Sequence, residues 1–147
     1  MTIYFYSTRD EHGYMSNFSA HSVVLDGKRW ATTEHYFQAQ KFAGTEHEEH
    51  VRKAKSPKQA AEIGRDRNRP LRKDWESVKD DIMRKEVRAK FTQHEDLRQN
   101  LLATGEEKLV ENTSNDHYWG CGTTGTGKNM LGIILMEIRA ELQKEAQ

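Results

Sequence analysis

Apolar residues recur along this chain with spacings that assign most of its length to elements. Between Asn129 and Lys144, Leu131, Ile134, Leu135, Ile138 and Leu142 follow one another at three- and four-residue steps, which predicts a helix with one buried face. Asp74 is placed to cap a long helix whose stripe is Trp75, Val78, Ile82 and Phe91. Leu97, Leu101 and Leu102 make another stripe that ends at Gly105. Thr33 caps a helix running to Ala43 with Gly44 as its stop, and a second helix covers Glu46 to Ala54. Ser56-Pro57 reads as the cap and first residue of a short helix that stops at Gly64. Ile3 to Tyr6 is rich in strand formers. Val23 to Leu25 and Lys28 to Trp30 flank Asp26-Gly27, the signature of a hairpin with a type I′ turn. Leu109-Val110 is a brief strand, and residues 112–128 read as loop, with five of the ten glycines falling between Gly120 and Gly132. The expected fold is α+β: a predominantly helical single domain over residues 1–147, with a small sheet built from the N-terminal strands.

Composition narrows the function classes. The 147 residues fit one domain, and 23 basic against 23 acidic side chains leave no net charge, which argues against a nucleic-acid coat or a polybasic membrane binder. One cysteine allows no intramolecular disulfide and suits a reducing cytoplasm. Arg9, Asp10 and Glu11 interrupt any apolar leader, and no apolar run approaches the roughly 20 residues of a membrane span. The expectation is a small soluble cytoplasmic protein. The charge is uneven, however. Between Arg52 and Lys73, nine basic residues face only Glu62 and Asp66. A patch of that size fits one or two phosphates better than a long polyanion, although a solvated helix face has the same composition.

Three segments carry candidate chemistry. Gly122 to Asn129 matches the G-x-x-x-x-G-K part of a phosphate-binding loop. Asn129 stands where a Mg²⁺-binding hydroxyl is required, no buried strand precedes the loop, and one helix alone follows it, so a nucleotide hydrolase does not fit. A glycine loop feeding a helix N-terminus beside Lys128 is still a candidate anion seat. In Thr33 to Phe42, Glu34, Gln38 and Lys41 fall at i, i+4 and i+7 and form one polar stripe. A solvated stripe has the same spacing, but Tyr36, Phe37 and Phe42 point to burial. A buried carboxylate and amine have the shifted pKa values that acid–base or Schiff-base chemistry uses. The third segment, Glu111 to Gly120, is either a plain turn or a stacking platform, with Asp116 placed to address ribose hydroxyls and Tyr118-Trp119 to stack a base. Ser16-Asn17-Phe18 is a similar polar–aromatic corner. His47 and His50 are three residues apart, not the i, i+4 pair of a zinc helix, and Cys121 stands alone, so metal binding is the weaker reading.

Taken in order, Tyr4-Phe5-Tyr6, Ser16-Asn17-Phe18, Glu34 to Phe42, Gly64-Arg65-Asp66-Arg67, Leu71 to Trp75, Trp119-Gly120, Gly127 to Gly132 and Leu135 to Arg139 resemble the NADAR family. The resemblance runs from about Tyr4 to Leu142. Thr33 departs from the Ser expected before the Glu but keeps the hydroxyl, and Cys121 to Thr126 is a variable loop. The resemblance implies an N-glycosidase that cleaves the ribosyl C–N bond of phosphorylated riboflavin-pathway intermediates, ribosylaminouracil phosphates, releasing ribose 5-phosphate. Other members remove ADP-ribose from guanine, which leaves nucleic acid as a partner only when ADP-ribosylated; a non-catalytic nucleotide-sugar-binding module is the third alternative. On this pattern Glu34, Lys41 and Asp116 are the candidate catalytic residues. Asn17, Phe18, Tyr36, Arg65, Arg72, Trp119, Lys128 and Asn129 are the candidate substrate-binding residues. Glu34 would stabilise the cationic ribosyl carbon and Lys41 would attack C1 of an opened sugar. No metal or redox cofactor is called for, and the oligomeric state is left open.

Overall fold

A computed structural model describes residues 1–146 and divides the chain into two compact units, Ala20–Lys90 and Met1–Ser19 with the chain from Phe91 onward. In the first of these, strands β2 (Val23–Leu25) and β3 (Lys28–Trp30) form the expected antiparallel hairpin. Asp26 and Gly27 turn it with φ of 54° and 75°, the two positive values that a type I′ turn requires. Helix α1 (Thr33–Gln40) starts one residue earlier than its sequence suggests: Thr32 is the cap, and its hydroxyl accepts from the His35 backbone N–H at 3.1 Å. The helix ends at Gln40, short of Ala43, and Gly44 with φ of 82° follows. Helices α2 (Glu46–Arg52) and α3 (Pro57–Gly64) are capped by Thr45 and Ser56. Helix α4 runs uninterrupted over Trp75–Gln93.

The core of this unit gathers Val23, Trp30, Tyr36, Ala39, Phe42, Val51, Ala60 and Ala89. Trp30 is fully enclosed, donates Nε1–H to the Leu25 carbonyl at 3.0 Å and meets Tyr36 edge-on. Helix α1 packs on α2 and α3, and all eight of its residues are buried. A helix covered on every side has no apolar stripe to read, so its polar residues lie inside the protein.

The other unit pairs β1 (Thr2–Phe5) in parallel with β4 (Lys108–Glu111), from Thr2 opposite Lys108 to Phe5 opposite Glu111. The strands therefore make two separate two-stranded sheets, not one sheet drawn from the N-terminal strands. Helix α6 (Met130–Glu145) packs on β4 and on α5 (Glu95–Ala103). At its start Asn129 sits in the left-handed region, φ 54°, and lays its amide along β4: Nδ2 donates to the Leu109 carbonyl at 2.8 Å and Oδ1 accepts from the Glu111 N–H at 2.9 Å. A side-chain amide here replaces the backbone of a neighbouring strand. A Cβ on Gly132 would come within 2.1 Å of the Leu109 carbonyl oxygen, so the helix approaches the strand only because that position is glycine. Among the described residues no helix is long and apolar enough to cross a membrane.

Candidate active site

The polar stripe that starts on α1 is buried at Glu34 and Gln38 and half-buried at Lys41, just past the end of the helix. Glu34 is 7% exposed and Gln38 4%, and the Gln38 Nε2 donates to Glu34 Oε2 at 2.9 Å. Glu34 lies in the first turn of the helix. His35, the next residue, is held by the Thr32 hydroxyl at Nδ1 (2.8 Å) and the Ala54 carbonyl at Nε2 (3.0 Å), and burial lowers its pKa, so it is a neutral structural imidazole.

Lys41 closes α1 with its Nζ directed to the Gly64 carbonyl at 3.4 Å and 5.7 Å from the centre of the Trp75 ring. Burial, then the positive charge of Arg67, brings its pKa down from 10.5 to about 8, against the opposing pull of Glu34. Gly64 is needed for this arrangement. A Cβ there would fall 2.0 Å from Gln38 Oε1 and 2.9 Å from Gln38 Cβ, so the amide that orients Glu34 occupies the space of the missing side chain. The Gly64 carbonyl also accepts from the Arg67 guanidinium. Trp75 is itself buried, edge-on to Phe37 at 5.1 Å.

A second pair of charges is buried on α4. Glu86 and Lys90, one helical turn apart, are 0% and 1% exposed. Among the described residues neither Glu86 carboxyl oxygen has a hydrogen-bond partner, and the Phe37 backbone only partly offsets the burial. Burial and then the negative charge of Glu34 raise its pKa well above the ordinary value, while burial brings Lys90 down to about 7. Gln38 is read from the sequence only as part of the polar stripe, and Gly64, Trp75, Arg67, Glu86 and Lys90 are given no role there. The i, i+4 Glu86–Lys90 pair set between Met83, Val87, Ala89 and Phe91 is the one local signal that could have marked them.

Of the other residues picked in this unit, Arg65 is exposed and its guanidinium makes no hydrogen bond or ion pair among the described residues. Arg72 is committed elsewhere: Nε and Nη2 bind Asp74 at 2.6 and 3.1 Å and Nη1 donates to the Gln40 carbonyl at 3.3 Å, fastening the segment before α4 to the end of α1. Tyr36 is scaffold, its ring in the core and its hydroxyl donating to Asp26 at 2.8 Å. His47 and His50 each accept from Arg69 through Nδ1, at 2.7 and 3.1 Å.

In the other unit, Asp116 Oδ1 accepts from the backbone N–H of Tyr118 (3.0 Å) and of Trp119 (2.8 Å), which fixes the turn and leaves the second oxygen uncommitted to those bonds. Trp119 is half-buried and edge-on to Tyr118 at 4.9 Å. Asn17 is buried, and Phe18 is 39% exposed on the next position of the same turn. Lys128 is exposed with its ammonium over the Tyr118 ring. The start of α6 is not an anion seat. The backbone N–H groups of Lys128, Asn129, Met130 and Leu131 donate to the carbonyls of His117, Gly120, Tyr118 and Trp119, so the donors an anion would use are taken.

A NADAR domain model matches residues 4–143 of the chain. Over 143 residues the chain is 57% identical to the N-glycosidase YbiA of Escherichia coli strain K12, covering 97% of this chain and 89% of that one. It is 47% identical to an N-glycosidase of Nostoc punctiforme (97% and 94% covered) and 42% identical to a riboflavin biosynthesis protein of Vibrio vulnificus, of which it covers 39%. The NMR structure of Escherichia coli YbiA superposes with a TM-score of 0.91 at 56% identity, over 99% of this chain and 86% of that one.

Proposed function

The chain belongs to the NADAR family and is a hydrolase of N-glycosyl compounds, and from that premise we propose that it cleaves the ribosyl C–N bond of ribosylaminouracil phosphates and releases ribose 5-phosphate. The riboflavin biosynthesis proteins among its relatives, of Vibrio vulnificus and Zea mays, support that substrate class. The observation that carries the chemistry is a buried carboxylate on α1 with its orienting amide, followed just past the helix end by a half-buried lysine brought to about pKa 8.

A glycosylamine can open to an imine between the base nitrogen and C1. The neutral Lys41 amine adds to C1, its proton passes to the departing amine, and the C–N bond to the base breaks, leaving an imine between Lys41 and the sugar. Water then adds to that carbon and returns the sugar aldehyde and the free lysine. Glu34 faces the positive charge that builds on C1 and on the imine nitrogen; fixed by Gln38 in a buried setting, it acts with little reorganisation. Asp116 is assigned to orient water or hold ribose hydroxyls, and Trp119 to stack the base. Asn17 and Phe18 are secondary binding candidates. Tyr36, Arg72 and Asn129 act as scaffold.

Incubation with ribosylaminouracil phosphate is expected to yield free ribose 5-phosphate, and borohydride added during turnover is expected to attach the sugar to Lys41. Release without any trapped adduct, together with an active Lys41→Met variant, would replace the imine route by direct attack of water. A parallel assay on ADP-ribosylated guanosine separates the two glycosidase classes. Binding without release of either sugar would make the protein a binding module.

A further inference from the structure

We propose that Arg67, flanked by Arg65, takes the phosphate ester of the substrate and thereby selects phosphorylated over unphosphorylated sugars, an assignment that rests on the glycosidase reading of the α1 stripe. Lys41 Nζ and the Arg67 guanidinium converge on one acceptor, the Gly64 carbonyl oxygen, and Arg67 Nε continues to the Arg65 carbonyl at 3.2 Å. Neither cation forms an ion pair among the described residues, and the Arg65 guanidinium beside them binds nothing there. Lys79 adds a further positive charge to the field at Lys41, though it is held by Glu76 at 2.7 Å; Glu34 is the one opposing charge that acts on Lys41.

A cation at the end of α3 is expected, since the last carbonyls of a helix favour positive charge. That accounts for one of them. It does not account for a lysine and an arginine on the same oxygen with a second arginine idle beside them, an arrangement that like-charge repulsion opposes until an anion arrives. Arg72 shows the contrast: it lies in the same basic segment, and a carboxylate already fills its fork. An arginine that gives up two backbone carbonyls for two phosphate oxygens exchanges neutral acceptors for charged ones in the same planar geometry. The sugar carbon can then lie at Lys41 with the ester at its neighbour, which is the arrangement a pentose phosphate offers.

Calorimetry with ribose 5-phosphate and with ribose tests the seat without turnover. Arg67→Gln is expected to weaken ribose 5-phosphate by about 10- to 100-fold and to leave ribose unchanged, with Arg67→Lys recovering part of the loss. The preference of kcat/KM for phosphorylated over dephosphorylated ribosylaminouracil should fall by a similar factor. The pH midpoint of turnover should rise above that of the wild type, since a positive neighbour of Lys41 has gone. Should Arg67→Gln fail to fold, Arg65→Gln serves as the second variant, with a smaller loss in the same direction. Equal weakening of both ligands, or unchanged ribose 5-phosphate binding, overturns the proposal. If the wild type binds ribose 5-phosphate through Arg67 yet releases no sugar, the glycosidase reading fails and the seat stands. If it releases sugar and Arg67→Gln keeps the phosphate preference, the seat fails and the reading stands.

Discussion

The α1 stripe and the loop leading into α6 look alike as sequence: each mixes acids, amides and a lysine with aromatic residues. They differ in where their polar atoms go. Around the loop, Asp116 caps two backbone amides, Thr113 Oγ1 donates to the Asp116 carbonyl, the Asn129 amide extends β4, and the first N–H groups of α6 are taken by loop carbonyls. In the stripe, the buried Glu34 and Gln38 bind each other, and the half-buried Lys41 reaches one carbonyl at the long distance of 3.4 Å. Backbone bonds of the first kind build shape. Buried charge, costly as stability, is the condition in which pKa values move far enough to do chemistry.

Glu34→Gln is the largest test of that contrast, because it removes the charge and keeps the shape. We expect kcat to fall by about 10² to 10⁴-fold with an unchanged melting temperature. Wild-type turnover in this variant would return the stripe to the scaffold. The pH profile adds a second check. Lys41 reacts as the neutral amine, and its pKa stands at about 8, below the ordinary 10.5, so the rate should climb with pH through 8. A profile that falls across that range would mean that the ammonium form is the working one.

The corresponding test in the loop is Asn129→Ala, which leaves a backbone donor and a carbonyl of β4 without their partner and places alanine at φ 54°. Two lost buried hydrogen bonds and a left-handed alanine are expected to cost about 2–4 kcal/mol, measured by denaturant unfolding. The comparison fails if stability is retained and KM rises instead, since Asn129 would then belong to the substrate.

How far each region could be read from sequence follows the same division. The hairpin, the Ser56-Pro57 start of α3 and the α6 stripe were legible because their signals are local: Asp-Gly at the turn, a cap followed by proline, and leucines at helical steps. The parallel pairing of β1 with β4 was not, because nothing in Thr2–Phe5 names a partner so distant in the chain. In the site, the i, i+4, i+7 spacing found Glu34, Gln38 and Lys41 but could not say that α1 is covered on all sides. The spacing also could not separate Arg67 from Arg72, whose sequence surroundings are equally basic; only the placement of Asp74 shows which fork is filled.

Gly64→Ala sharpens the contrast inside the stripe. The added methyl meets both the amide and the Cβ of Gln38, so rotating the amide alone gives no relief and Glu34 loses its orienting donor. A fall of about 10- to 100-fold in kcat/KM is expected, with a smaller loss of stability from overpacking. Gln38→Ala removes the amide but keeps the Cβ that stands 2.9 Å from the added methyl, so Gly64→Ala should cost less in that background than in the wild type. If the two losses instead add, Gly64 matters for some reason other than making room for Gln38.

The smallest expected effect concerns the pair beneath the stripe, Glu86 and Lys90. The unfolded chain holds the Lys90 proton up to about pH 10.5, whereas the folded protein releases it at about 7, so stability falls as pH drops across that window and the full penalty stands below it. Glu86 runs the other way: its folded pKa lies well above 4.5, so stability falls as pH rises above 4.5 towards that raised pKa. Both penalties act near neutral pH, offset in part by the attraction between the two groups. Replacing them together, Glu86→Leu with Lys90→Met, is expected to be neutral or to stabilise by about 1–2 kcal/mol at pH 7. Lys90→Met alone should show a gain that shrinks between pH 7 and 10 as the wild type is relieved of its own penalty. A difference in unfolding free energy that stays flat over that range would mean that Lys90 keeps its proton inside the protein, and the buried pair would then be an ordinary ion pair with no bearing on Glu34.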